Sequence, residues 1–108
     1  MNGLLEPEEF EKVYNKIVDA VLIDLRTPAE YESGHIENAI NLDYRSDNFE
    51  DTVMQLDKGK TYFVYCRSGR RSSSAAKLME TAGIKNIYDL KGGINAWKKH
   101  GKLKVVSE

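Results

Sequence analysis

The one cysteine of the 108-residue chain stands in the stretch Cys66-Arg67-Ser68-Gly69-Arg70-Arg71-Ser72. Three of the chain's sixteen basic residues fall between Cys66 and Arg71, with no acid among them. Before it runs Tyr62-Phe63-Val64-Tyr65, in the style of a strand buried on both faces. After it, Ser72-Ser73-Ser74-Ala75-Ala76-Lys77-Leu78-Met79 opens a helix. A short loop between a buried strand and a helix aims successive backbone N–H groups into one concavity, with the helix dipole behind them. Such a cradle favours an anion, and a thiolate is one. The stretch therefore reads as a site where a cysteine nucleophile handles an anionic substrate. A buried structural thiol is the plainer alternative, since free cysteine is among the most buried residue types. The neighbours argue against it, because an apolar core thiol is not followed by two serines, a glycine and three arginines.

The flanking sequence supplies a scaffold for such a loop. Residues 1–5 suit a short edge strand. Pro7 fits the first position of a helix with Glu8 and Glu9 in its first turn, and Phe10, Val13, Tyr14 and Ile17 give that helix one apolar face. Val21-Leu22-Ile23-Asp24-Leu25 reads as a buried strand, followed by a capping box, Thr27-Pro28-Ala29-Glu30, and a short helix that Gly34 stops. Residues 34–39 suit a tight turn and residues 39–42 a weaker strand. Within residues 43–60, Phe49, Val53, Met54 and Leu56 suggest one helix ending before the turn Asp57-Lys58-Gly59-Lys60. The strand Thr61–Tyr65 leads to the Cys66 loop and a helix from Ser72, buried along Ala75, Ala76, Met79 and Ala82, with Gly83 as its stop. Ile87-Tyr88-Asp89-Leu90 is a last strand. Gly92-Gly93 then turns into a helix carrying Ile94 and Trp97, closed by Gly101, and the tail 102–108 is expected to be peripheral. Strands alternating with helices imply parallel pairing through right-handed crossovers, and ligands of such sheets bind beyond the carboxyl ends of the strands. The Cys66 loop lies at such an end.

Composition narrows the classes of function. The length suits a single domain, residues 1–108 with a core from about 4 to 101. A formal net charge of -1 argues against nucleic acid or an anionic membrane as partner. One cysteine makes no internal disulfide, no apolar run approaches a membrane span, and residues 1–20 lack the apolar core of a signal peptide, so a cytoplasmic location is expected. One cysteine and two separated histidines offer no zinc spacing, and neither a metal nor another cofactor is expected. Arg26 and Glu30 stand near enough to pair, with Asp24 fixing loop backbone. His35 in its turn reads as a hydrogen-bonded structural residue and Trp97 as core.

Three separated segments resemble the rhodanese (thiosulfate sulfurtransferase) family. Asp24-Leu25-Arg26 with Glu30-Tyr31 and Gly34-His35-Ile36 is similar to its upstream signature, Cys66 to Ser72 to its active-site loop, and Gly92-Gly93 with Trp97 to its downstream signature. They span residues 22–101 in the family's order. Asn38 stands where the family often has glycine, and asparagine tolerates the left-handed backbone such a position requires. The resemblance implies an α/β fold, a five-stranded, mainly parallel sheet with helices on both faces. It also implies sulfur transfer through a Cys66 persulfide, with Arg67, Ser68, Gly69, Arg70, Arg71 and Ser72 binding the substrate. By the same resemblance Arg71 closes the loop and points into the cradle. Arg67 and Arg70 read from their charge as rim residues that steer anions or a partner, with plain solvated surface as the alternative. The expected partners are a small anionic sulfur donor and a thiol acceptor or sulfur-accepting protein. Two rivals stand beside this reading. A cysteine phosphatase of the related fold has one residue more between cysteine and arginine than the four here, and Tyr65 stands where it places a histidine. A non-catalytic binding module of the same fold usually lacks the cysteine that this chain keeps.

Overall fold

The computed structural model describes residues 2–100 and 105–107. Five strands form one sheet: β1 (Gly3–Leu5), β2 (Ala20–Asp24), β4 (Ile40–Asn41), β5 (Thr61–Tyr65) and β6 (Asn86–Leu90), in the order β1-β6-β5-β2-β4. Every neighbouring pair is parallel. Parallel neighbours need a crossover, and four helices supply it: α1 (Pro7–Lys16), α2 (Pro28–Ser33), α3 (Phe49–Gln55) and α4 (Arg70–Thr81); α5 (Gly93–His100) follows the last strand of the sheet.

β5 is the middle strand and all five of its residues are buried. Strand side chains alternate between faces, and the alternation sorts the core into two halves. Tyr62, Val64 and Cys66 face α3 and α4, where they pack with Ile23, Ala75, Ala76 and Met79. Phe63 and Tyr65 face α1 and α5, with Phe10, Leu22, Ile94 and Trp97. On that second face Phe10 meets the rings of Phe63 and Trp97 edge-on, at 5.4 and 5.9 Å between centroids. Such pairs contribute about 0.5–1.5 kcal/mol each beyond the area they bury. The small residues Ala75 and Ala76 let α4 lie close on the sheet, so its amino end is set beside the carboxyl end of β5.

Some local expectations are corrected. The fourth helix begins at Arg70, two residues before Ser72, because Gly69 takes a left-handed conformation (φ 109°) and turns the chain into the helix earlier. Met54 points to solvent at 59% exposure, while Phe49 and Val53 alone bury the face of α3. Ala82 is only half-buried. Within the turn 34–39, His35–Ile36 is a short strand, β3, and it pairs antiparallel with β7, Val105–Val106. That part of the tail is thus built into the fold, and the expected stop at Gly101 lies outside the described residues. Asn38 has φ 75°, the left-handed turn expected of it.

Candidate active site

The Cys66 side chain continues the alternation of β5 and comes to lie under the first turn of α4, 1% exposed. The Gly69 and Ser72 backbone N–H groups donate to its Sγ at 3.1 and 3.3 Å. A helix leaves its first four N–H groups without partners, and an oxygen-bearing side chain just before the helix normally takes one of them. Gly69 occupies that position and has no side chain to offer. The Cys66 sulfur does the work instead. The Ser72 hydroxyl lies 3.5 Å from Sγ, placed to accept the thiol proton, and donates to the Gly69 carbonyl at 3.2 Å. A site that receives two amide donors at the amino end of a helix favours negative charge on the sulfur.

The outer side of the loop is held by α5. The Ile94 and Asn95 N–H groups donate to the Cys66 and Arg67 carbonyls at 2.9 and 3.2 Å. This contact depends on Gly93, which has φ 60° and so little room that a Cβ there would stand 2.5 Å from both carbonyl oxygens. The glycine pair and Trp97 thus serve one purpose: Trp97 buries α5 against the sheet, and Gly93 lets its first turn touch the loop.

The charged residues pair differently from the sequence expectation. Arg26 pairs with Asp24, not with Glu30. Its Nη2 is 2.8 Å from the Asp24 carboxylate, both side chains are buried, and the same guanidinium donates to the Gly34 carbonyl. Asp24 also accepts the Arg26 backbone N–H at 2.8 Å, so it does fix loop backbone. Glu30 instead receives Arg71, through two bonds of 2.8 and 3.1 Å. The Arg71 guanidinium is therefore held by a carboxylate, within electrostatic reach of Cys66. Arg67, Ser68 and Arg70 are exposed, Gly69 and Arg71 half-buried, and Ser72 buried. His35 is buried, stacks on Tyr31 at 3.7 Å and shares its Nδ1 with the Tyr31 carbonyl at 2.9 Å. The Tyr65 hydroxyl accepts the Ile36 N–H at 3.0 Å, joining the residue before the nucleophile to β3.

Glu30 has a second task. It completes the capping box of α2, accepting the Thr27 N–H at 3.1 Å while Thr27 Oγ1 accepts the Glu30 N–H at 3.3 Å. Hydrogen bonds from Arg71, opposed by partial burial and helped by Thr27, pull its carboxyl down from 4.5 to about 2. A depressed carboxyl contributes stability that is complete above its unfolded value and lost as pH falls through its folded value. Wild-type melting temperature should therefore fall between pH 4.5 and about 2 more steeply than that of Glu30→Gln. Superimposable acid limbs would show that the pair contributes nothing.

Three surface grooves lie elsewhere. One between α3 and α4 is lined by Val53, Met54, Leu78 and Ala82, and two others run along residues 41–52, none of them touching residues 66–72. They bring no nucleophile together with amide donors, so the chemistry assigns the site to the Cys66 loop. Sequence reasoning missed one residue there. Asp89 is 1% exposed beneath α4, and its position two along from buried Ile87 in a strand was the available signal. No described helix is long and apolar enough to cross a membrane.

Comparison with known proteins agrees with the fold. A sulfurtransferase of Allochromatium vinosum is 36% identical over 90 residues, 83% of this chain and 82% of the relative. The tRNA uridine(34) hydroxylase of Pelagibacter ubique is 33% identical over 95% of this chain, which spans only 34% of that protein. The crystal structure of a rhodanese-related protein from Thermoplasma volcanium superposes with a TM-score of 0.83 at 28% identity, covering 100% of both chains. Residues 6–100 match the rhodanese-like domain, and the chain belongs to that family.

Proposed function

We propose that the protein is a sulfurtransferase that carries a sulfane sulfur from thiosulfate or a similar donor to a thiol, or to cyanide in an assay, as a persulfide on Cys66. The observation that supports this reading is the pair of amide bonds from Gly69 and Ser72 to Sγ. In the first half-reaction a lone pair of the Cys66 thiolate forms a bond to the outer sulfur of the donor. The donor's S–S bond breaks, and sulfite leaves with the electron pair. The persulfide keeps its negative charge within the loop, where N–H groups oriented before the reaction stabilise charge as it develops. In the second half-reaction the acceptor attacks the outer sulfur and Cys66 departs as thiolate. Two half-reactions through a covalent intermediate give ping-pong kinetics. No proton has to reach the sulfite, so the reaction needs no general acid at the leaving group.

The family and a relative named as a sulfurtransferase over most of its length favour a transferase. The hydroxylase name belongs to proteins of which this chain spans a quarter to a third, 25% to 34%. Exposed Arg67 and Arg70 act on encounter with the anionic donor. Replacing either by alanine should lower the rate of sulfur uptake at low salt, with the difference shrinking as ionic strength rises. A loss at either position that salt leaves unchanged would contradict a steering role.

The burial of Cys66 supports a second reading, a sulfur carrier loaded by a docked protein or polysulfide and not by free thiosulfate. Intact mass separates the two. Thiosulfate should add the mass of one sulfur atom, and a reductant should remove it, while an aryl phosphate should be turned over negligibly. Gain from polysulfide alone would favour the carrier. No gain from either, or phosphatase turnover that depends on Cys66, would overturn both.

A further inference from the structure

Cys66 attacks as a thiolate, so its thiol proton has first to pass to another group. The structure holds a group for it. Along β6, Ile87 packs on the α3 and α4 face while Tyr88 and Leu90 pack on the other, so the alternation turns Asp89 toward α4. There it is 1% exposed, and neither carboxylate oxygen has a hydrogen-bond partner among the described residues. Within the sheet Leu4 of β1 and Val64 of β5 stand beside it. The polar groups that face it are the Ser72 hydroxyl of α4 and the Leu90 amide, and no charged side chain contributes to its titration. Burial pushes its carboxyl up to about 6, and those two groups keep it from rising further. Ser72 is wholly buried, and its hydroxyl is the same one that stands 3.5 Å from Cys66 Sγ.

We propose that Asp89 takes the Cys66 proton through the Ser72 hydroxyl when the nucleophile is formed, an inference that rests on the persulfide reading. The Ser72 hydroxyl turns from the Gly69 carbonyl toward Asp89. The Sγ proton passes to Ser72 Oγ as the serine's own proton passes to an Asp89 oxygen. Cys66 ends as thiolate, Asp89 as neutral acid, and Ser72 is unchanged. Each end of the relay favours this placement. The sulfur anion receives two N–H donors, whereas a buried carboxylate without a hydrogen bond is costly. One proton between two buried acids also keeps their charges from coinciding. Once the persulfide has formed, a neutral Asp89 beneath it adds no second negative charge.

The test follows the Asp89 carboxyl directly by carbon-13 NMR, in the wild type and in Cys66→Ser. Without a thiol to supply the proton, its midpoint should lie at about 6. In the wild type the midpoint should stand at least about one pH unit higher, because a negative charge on the nearby sulfur disfavours a second one on the carboxylate. Equal midpoints in the two proteins would overturn the proposal. Asp89→Asn should slow single-turnover sulfur uptake at neutral pH by about a hundredfold, the range of a lost proton acceptor. Ser72→Ala should lose as much, and the double variant no more. Losses that multiply would break the relay. If the wild type takes up no sulfur at all, the proposed function fails, while the NMR comparison still decides where the proton resides.

Discussion

Cys66→Ser is expected to abolish sulfur transfer while leaving the fold in place. A serine hydroxyl would not form the persulfide, so no route through the covalent intermediate remains. Removing the nucleophile of a covalent enzyme lowers turnover by about a thousandfold or more. The fold should tolerate the change, because the serine oxygen can still accept the Gly69 and Ser72 amides that Sγ accepts now. Stability should move by about 1 kcal/mol or less, the net worth of a single hydrogen bond. The measurement is cyanide-dependent thiocyanate formation beside a thermal melt. Wild-type turnover by the serine variant would eliminate Cys66 as the sulfur carrier. A lost melting transition would mean that the sulfur is needed to hold the loop.

Gly93→Ala should be the most damaging change that removes no chemical group. The backbone at φ 60° costs an alanine about 1 kcal/mol. Its methyl would also stand 2.5 Å from the carbonyl oxygens of Cys66 and Arg67, main-chain atoms that cannot swing aside as a long side chain can. Either α5 lifts away, exposing part of the Trp97 core, or the loop moves and carries the amides off the sulfur. Strain of this kind costs about 2–4 kcal/mol in all. In a domain of this size that lowers the melting temperature by about 10–20 °C. Sulfur uptake should fall at least about tenfold even well below the melt, since small displacements of a catalytic cradle are expensive. Gly59→Ala is the control, where the nearest atom is an Asp57 oxygen at 3.4 Å and the backbone is ordinary. Equal behaviour of the two variants would show that α5 and the loop need not be so close.

What the sequence made legible were features whose causes are local. Four bulky residues before Cys66 predict a buried strand, Thr27 and Glu30 predict a capping box, and both are present. The pairing of charges was not legible. Arg26 and Glu30 are four residues apart and invite pairing, but Glu30 meets Arg71 across 41 positions, a proximity that only the parallel sheet creates. The start of α4 is two residues earlier than the sequence suggests, because the left-handed Gly69 and the cysteine sulfur cap it, and neither role shows in the spacing. Asp89 passed as an ordinary strand residue, since spacing alone does not say which face of a strand lies under a helix. The pairing of Val105–Val106 with His35–Ile36 is non-local in the extreme, and nothing in two valines announces it.

The strand order has a consequence for how the chain reaches this structure. Of the five strands of the sheet β1 is synthesised before the others, yet among the described residues its neighbour there is β6 alone, which it meets in the register Gly3 to Tyr88 and Leu5 to Leu90. The earliest of these five strands is thus the last that can be seated. Pairings of such long sequence separation delay folding, because the loop must be closed before the contact is gained. Until then Leu4 and Leu5 wait unpaired, and the open side of β6 offers a free edge to any other strand. A nascent chain stalled before residue 86 would carry a finished Cys66 strand beside an unfinished sheet, a state prone to aggregate by the same pairing that completes the native fold.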